Sequence, residues 1–296
     1  VYQIPKLFPT PEHKNLVIGV TGIGASKEFS SLITDVIPNL HTLDTGQCFP
    51  LYYYEQPEDD LLKTEKPDKH RYVRRDAITD WALKKFHDTF SDKKISKEDI
   101  FYCIYGVLHS PTYRENFEND LKKMLPRIPL CKDFWGFSKS GRALAKWHLE
   151  YETVEPYDLK EEIKPGAPKK IKDLYRVDES GMKWPKEKKV EDKTKIIFNG
   201  YVTLTGVPLD AYDYVVNGKS AIEWVMERYC ITVDLNKKCE GSGIKNDPNE
   251  WSDDPRYIVD LVKRVVRVSI ETNKIVKALP PLDIIDEQQE SSSHTE

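Results

Sequence analysis

Residues 101–130 read FYCIYGVLHSPTYRENFENDLKKMLPRIPL, and they constrain the chain more than any other stretch. Ile100, Cys103, Ile104, Val107 and Leu108 recur at the spacing of a helix with one buried face. Ser96 and Asp99 stand where a helix N-terminal cap belongs. The run stops at His109-Ser110-Pro111, and a second one begins there. Serine just before a helix with proline at its first position is a start signal. Tyr113, Phe117, Leu121 and Met124 then line one face, and Pro126 and Pro129 end the run. The spacing predicts two helices joined at a tight corner, a local scaffold that must be packed on both sides.

The rest of the chain supplies what could pack there. NLVIGV at 15–20 reads as a strand, and TGIGASKEFSSLITDVI as a glycine turn entering a short amphipathic helix. QCFPLYYYE is aromatic and extended, and 57–75 is polar enough for a long surface loop. Ile78, Trp81, Ala82, Phe86 and Phe90 share helical spacing, as do Leu144, Trp147, His148 and Tyr151. Residues 160–195 are rich in lysine and proline and read as an exposed connection. In TKIIFNGYVTL, Asn199-Gly200 predicts a two-residue hairpin turn with positive φ angles. Pro208 opens a short helix that Asn217-Gly218 closes, Ser220 and Glu223 cap the next, and a last long helix runs from about Pro255 to Leu279. Together these elements predict an α+β chain. It has mixed β segments near the N-terminus, a β-hairpin near 196–204, and several packed helices including a long C-terminal one.

Composition narrows the class. Hydrophobic residues are 39% and charged residues 32% of 296, which suits a globular protein with a polar surface. No apolar run approaches the ~20 residues of a membrane span, and the N-terminus VYQIPKLFPTPE is not a signal peptide. Five cysteines, far apart and never in a C-x-x-C pair, argue against a disulfide framework or a cysteine-rich zinc site. A reduced, cytoplasmic setting is expected. The formal net charge is −4, yet 63–75 and 84–97 are locally basic, while the tail at 281–296 is acidic and expected to be disordered.

Three patterns suggest chemistry, and each has a plainer reading. The strand and the turn with Gly22 and Gly24, followed some 20 residues on by Asp44, resemble the start of a Rossmann-type nucleotide-binding enzyme. No further βαβ units follow, so a turn packing a helix against a strand is the alternative. His109-Ser110 could belong to a nucleophilic site, but Ser110 is complete as a cap and no G-x-S-x-G elbow exists. NDPNEWSDDP at 246–255 could bind calcium, but it lacks the alternating ligands and central glycine of an EF-hand. The histidines show no H-E-x-x-H spacing. There is no G-x-x-x-x-G-K-[ST] loop for ATP and no [DN]-P-P-Y tetrad for adenine methylation. The residues by themselves give no active site.

Several long blocks do carry a resemblance. They are the 101–130 stretch, FWGFSKSGRALAKWHLEYE, YVVNGKSAIEWVMERY and NDPNEWSDDPRYIVDLVKRVVRVSIETNKIV. Together they resemble the C-terminal target-recognition, or specificity, domain of type ISP restriction–modification enzymes. VTGIGASKEFSSLITDVIPNLHTLDTGQCFPLYYYE is similar to the same family's upstream segment, so the likeness covers roughly residues 1–280. The resemblance implies sequence-specific recognition of duplex DNA in prokaryotic defence. Other domains of the same polypeptide, a DNA adenine methyltransferase and a helicase-like ATPase with its endonuclease, would supply methylation, translocation and cleavage. S-adenosylmethionine, ATP and Mg would be bound there, and this chain would need no cofactor and be no enzyme by itself. It implies a recognition region at 1–132 and a helical part of the same module at 133–280. A module that only docks on the methyltransferase domain is the other reading.

Cations on loops and helix ends can reach a groove, whereas those in the middle of a packed helix cannot. That nominates Lys27 beside the glycine turn and Lys69, Arg71, Arg74 and Arg75 in the polar loop. It also nominates Lys139 and Arg142 at the start of the helix after FWGF, and Lys219 after Asn217-Gly218.

Overall fold

The structure, a computed structural model of the chain, describes residues 4–39, 42–56, 69, 71–233, 243 and 245–285. It divides into two compact units, residues 1–149 with 275–296 and residues 150–274. The expected internal division is at 132/133, whereas the first unit runs on to 149.

Unit 1 opens with a single helical turn, α1 (Ile4–Leu7), and a three-stranded antiparallel sheet. The central strand β1 (Val17–Val20) pairs with β2 (Ser31–Thr34) and β3 (Gln47–Pro50), Ile18 standing opposite both Ile33 and Phe49. The expected short helix after the glycine turn is therefore a strand. Ser31 and Ile33 are buried while Leu32 and Thr34 are half-buried, a period of two. Val36 and Ile37, which would extend a helical face, are 64% and 55% exposed. A ribbon follows, β4 (Tyr52–Glu55) paired antiparallel with β5 (Val73–Asp76). Arg74 and Arg75 thus lie in a strand, not in the expected loop, whose residues 57–68 fall outside the described ones.

Helix α2 (Asp80–Phe90) starts after Thr79, whose side chain accepts from the Ala82 N–H. Leu83, Phe86 and Phe90 pack on the core, but Trp81 does not share that face and is 72% exposed. Helix α3 (Lys97–Leu108) has the full capping box between Ser96 and Asp99. It is buried more widely than one stripe: Phe101 and Tyr105 lie inside with Ile100, Cys103 and Val107. Ser110 caps α4 (Pro111–Asn116) by accepting from the Tyr113 N–H. The single second helix expected there breaks at Phe117, and α5 (Glu118–Leu121) is a separate turn.

Helix α6 (Phe134–Leu149) crosses α3 at two glycines. A Cβ on Gly141 would lie 1.8 Å from the Tyr102 carbonyl oxygen, and one on Gly106 would lie 2.4 Å from that of Phe137. The backbones touch where no side chain fits, so both glycines set the interhelical distance. Residues 281–285, read from the sequence as part of the disordered tail, are tied down in unit 1. Ile285 N–H donates to the Leu130 carbonyl and Lys132 N–H to that of Asp283. Residues 286–296 lie outside the described ones.

Unit 2 corrects the reading of 160–195 as a bare connection. β6 (Lys160–Ile163) belongs to a three-stranded sheet, and Leu159, Tyr175, Val177 and Met182 are buried in the unit's core. After a helical turn, α7 (Ile171–Leu174), comes a small ribbon of β7 (Lys186–Glu187) and β8 (Val190–Glu191). β9 (Lys195–Ile197) and β10 (Val202–Thr205) form the expected hairpin and complete the sheet, in the order β6-β10-β9. Its turn is not the two-residue type, and neither Asn199 nor Gly200 has positive φ. Asn199 is instead 3% exposed, and its Oδ1 accepts from the Tyr201 and Val202 N–H groups while its Nδ2 donates to the Leu174 and Arg176 carbonyls.

The two-residue turn sits elsewhere. Pro208 leads into a 3₁₀ turn at Leu209–Asp213, and β11 (Val215–Val216) then pairs with β12 (Lys219–Ser220). Asn217 and Gly218 join them with φ of 52° and 81°. Ser220 and Glu223 cap α8 (Ala221–Arg228) by a full capping box, as expected. Helix α9 (Tyr257–Lys277) gives Ile258, Val259, Val262 and Val266 to this core, and Ile275 and Val276 to that of unit 1. Among the described residues no helix is long and apolar enough to cross a membrane.

Candidate nucleic-acid interface

The glycine turn is built by packing. Gly22 N–H donates to the Asp44 carbonyl, and a Cβ on Gly22 would lie 1.8 Å from the Thr45 carbonyl oxygen. The Asp44 carboxylate accepts from the Ser26 N–H at 2.7 Å and the Ser26 hydroxyl at 2.8 Å. The Ser26 hydroxyl and N–H hold its pKa below the ordinary carboxylate value. A dinucleotide site needs a parallel crossover and a helix whose N–H groups face the phosphates. Here β1 has only antiparallel partners, a strand follows the turn, and Asp44 closes that turn. The nucleotide-binding alternative is overturned. Lys27 is exposed beside this turn.

The β4–β5 ribbon carries Arg74 and Arg75, two of the eight nominated cations. Alternation puts Tyr52, Tyr54, Arg74 and Asp76 on one face and Tyr53, Glu55, Val73 and Arg75 on the other. Tyr54 is buried, and its hydroxyl donates to the Lys14 carbonyl, which anchors the ribbon. The Arg74 guanidinium lies over the Tyr52 ring at 4.2 Å, and Arg74 as a whole is exposed. Arg75 reaches Glu55 at 3.4 Å on the opposite face. Lys69 and Arg71 are exposed just before β5, Arg71 with a φ of 66°.

Arg142 has a different occupation. Its two terminal nitrogens donate to Glu98 at 2.7 Å and Asp99 at 2.8 Å, and its guanidinium covers the Tyr102 ring at 4.2 Å. Burial pushes the Asp99 carboxyl up, but the hydrogen bonds from Ser96 and Arg142 outweigh it and hold the group below its usual value. Arg142 thereby ties α6 to the start of α3. Burial raises the Tyr102 phenol, Glu98 adds to the effect, and Tyr52 is near enough to contribute. Arg74 over Tyr52 and Arg142 over Tyr102 thus form two cation–aromatic pairs, a feature that lysine and arginine counting misses. The tyrosines were visible in the sequence as QCFPLYYYE, but the partner Tyr102 was hidden in a helix.

FWGF is itself the first turn of α6, so Lys139 and Arg142 lie within the helix and not at its expected start; Lys139 is exposed there. Lys219 belongs to unit 2, where it pairs with Glu227 and stands 5.2 Å from the Trp224 ring centre. His109 and Ser110 are buried corner residues: Ser110 caps α4, and the His109 Nδ1 lies 2.9 Å from the Tyr105 carbonyl. Burial holds the His109 ring well below its ordinary pKa, with Arg114 and His148 adding to the effect. In 246–255, Asp247 is 3% exposed in its side chain, paired with Arg176 at 2.5 Å, and accepts from Asn249. Its carboxylate is committed to capping and ion pairing. Among the described residues no three or more His, Cys, Asp or Glu are placed to hold a metal ion.

No curated protein matches the sequence. Solved structures do. A nuclease-deletion mutant of the Type ISP restriction-modification enzyme LlaGI, in complex with a DNA substrate mimic, is 34% identical at a TM-score of 0.74, over 96% of this chain and 19% of that one. The ATP-dependent Type ISP restriction-modification enzyme LlaBIII bound to DNA is 33% identical at 0.79, over 96% and 17%. A DrdV–DNA complex is 32% identical at 0.78, over 96% and 26%. The chain therefore spans about a sixth to a quarter of the length of these relatives. A family model described as the Type ISP C-terminal specificity domain matches residues 1–261, and with identity and fold agreeing over nearly the whole chain, it belongs to that family.

Proposed function

We propose that this chain reads a duplex DNA site on behalf of a restriction–modification polypeptide. The observation that carries the reading is its likeness, over 96% of its length, to enzymes whose structures hold DNA or a DNA mimic. The β4–β5 ribbon adds the chemistry. A guanidinium stacked on an aromatic ring keeps its N–H edge free for a planar, bidentate partner such as a guanine edge. Lys27 and Lys69 are point charges suited to phosphates, which position a protein without reading sequence.

Methylation, translocation and cleavage would then come from other domains of the polypeptide, which would bind S-adenosylmethionine, ATP and Mg. Neither the glycine turn nor the acidic loop of this chain offers such a site. The chain's own part is recognition, without catalysis.

Arg74→Ala with Arg75→Ala in the full chain tests the reading. Binding to cognate and unrelated duplexes is measured at several salt concentrations. Loss of a base-reading arginine should cost about 1–3 kcal/mol on the cognate site alone. Loss of a phosphate contact should weaken all sequences and flatten the log–log salt dependence by roughly one unit. Wild-type binding at every salt would remove the ribbon from the interface. Binding to a methyltransferase domain with no affinity for duplex DNA would favour the docking reading instead.

A further inference from the structure

The ribbon of β7 and β8 in unit 2 turns through Lys188 and Lys189 alone, since Glu187 pairs with Val190. Both lysines have positive φ, 47° and 71°. That is the two-residue turn that Asn-Gly fits best, because a Cβ is strained in the left-handed region. The same chain uses Asn217-Gly218 for its other such turn. At 188–189 it places two side chains that gain nothing from the geometry. Strain of this kind persists where the side chains serve a purpose that glycine could not.

Both lysines are exposed, and neither has an ion-pair or hydrogen-bond partner among the described residues. The arms behind them are held. Lys186 pairs with Glu191 across the ribbon at 3.2 Å, and Asp192 N–H donates to the Pro185 carbonyl at 2.8 Å. At the base, Trp184 donates to the Tyr212 hydroxyl, and Lys193 lies over the Trp184 ring at 4.4 Å. Residues 183–195 hold six lysines against Glu187, Glu191 and Asp192, in a chain that is negative overall. Two free ammonium groups on a braced tip match a polyanion with regularly spaced charge.

We propose that the Lys188–Lys189 tip contacts the phosphate backbone of duplex DNA, as a second element besides the β4–β5 ribbon. The inference rests on the reading of the chain as a duplex-DNA reader. Lysine is a point charge without the fork that matches a base edge, so the tip positions DNA and does not read it.

The test replaces the pair by Asn-Gly, K188N with K189G, in the full chain. This keeps and relaxes the turn while removing both charges. A second variant, K188R with K189R, keeps the charges. Melting temperature and duplex binding from low to high salt are measured for each. The Asn-Gly variant should melt at or above the wild-type temperature. It should bind cognate and unrelated duplexes more weakly at low salt, with a log–log salt slope shallower by about two units. The Arg pair should keep the wild-type slope. If wild type binds duplex with a steep salt dependence and the Asn-Gly variant matches it, the tip does not touch DNA and only this inference falls. If wild type binds no duplex at any salt, the recognition reading falls with it.

Discussion

His109 and His148 show how little a residue's chemistry says before its surroundings are known. His109 follows an apolar helix and precedes a serine, which looks like catalytic company. Both histidines are buried, with ring centres 5.5 Å apart. The Tyr105 hydroxyl lies 2.6 Å from the His148 Nδ1, and the His109 Nε2 has no hydrogen-bond partner. Burial, helped by Arg114, pushes His148 down to about 3 from an ordinary 6.5. His109 is likewise held well below its ordinary value. The sign follows from linkage. Below pH 6.5 the unfolded chain takes up protons that the folded chain refuses, so stability is full above 6.5 and is lost as pH falls toward 3. Between pH 6.5 and 5, where ordinary carboxylates stay charged, each histidine should cost up to about 1.4 kcal/mol per pH unit. Urea unfolding of wild type and of H109Q with H148Q measures this. The variant should be less stable at pH 7.5 and lose less on acidification, whereas equal pH slopes would mean the rings protonate without penalty. The capping serines were fully legible, because Ser96, Ser110 and Ser220 act within three residues of themselves. The histidine pair was not, because its members are 39 positions apart in sequence.

Elements were legible where a pattern ran long enough to be periodic. Helices α3, α6 and α9 announced themselves. β7, β8, β11 and β12 have two residues each, too few for an alternation to appear. The stretch at 160–195 looked like a loop because its core residues, Tyr175, Val177 and Met182, are dispersed among lysines. The two Asn-Gly pairs show the limit of a local signal. Asn217-Gly218 makes the turn the dipeptide favours, whereas at 199 four side-chain hydrogen bonds, two to the carbonyls of Leu174 and Arg176 and two within the turn itself, override it. The cationic ribbon was legible as arginines but not as a strand, because what precedes Val73 is polar. The α3–α6 crossing rests on glycines that spacing alone does not mark. Gly141→Ala must push apart backbones that already touch, so it should destabilise the chain by about 1–3 kcal/mol, despite alanine's better helix propensity. Thermal unfolding checks this, with Gly136→Ala as a contrast. There the atoms nearest the added Cβ belong to the Asp133 side chain, whose Oδ1 accepts from the Gly136 N–H at 2.8 Å. A Gly141→Ala chain as stable as wild type would mean that the helices separate at no cost.

At the scale of the whole molecule, the formal net charge of −4 opposes the partner proposed for it. DNA is a dense polyanion, and a negative protein is repelled until its own cations come close. At about 0.1 M salt the Debye length is ~10 Å, so attraction is confined to those surfaces where cations outnumber carboxylates. The Lys188–Lys189 tip and the exposed Arg74 are such places, whereas Arg142 and Lys219 are already committed to Glu98, Asp99 and Glu227. Binding should therefore combine a local attraction with a general repulsion, and the two can be separated. Asp286, Glu287, Glu290 and Glu296 carry four negative charges in the C-terminal stretch, and replacing them by Asn or Gln removes as much charge as the whole chain has in excess. The expected result is a several-fold gain in duplex affinity near 0.05 M salt, as screening over ~10 Å or more would dictate. The gain should shrink as salt rises. Because these positions add no cation, the gain should be the same for cognate and unrelated duplexes. A gain confined to the cognate site would place the acidic residues near the bases. No gain at any salt would mean that the contact surfaces alone set the affinity and that bulk charge has no part in it.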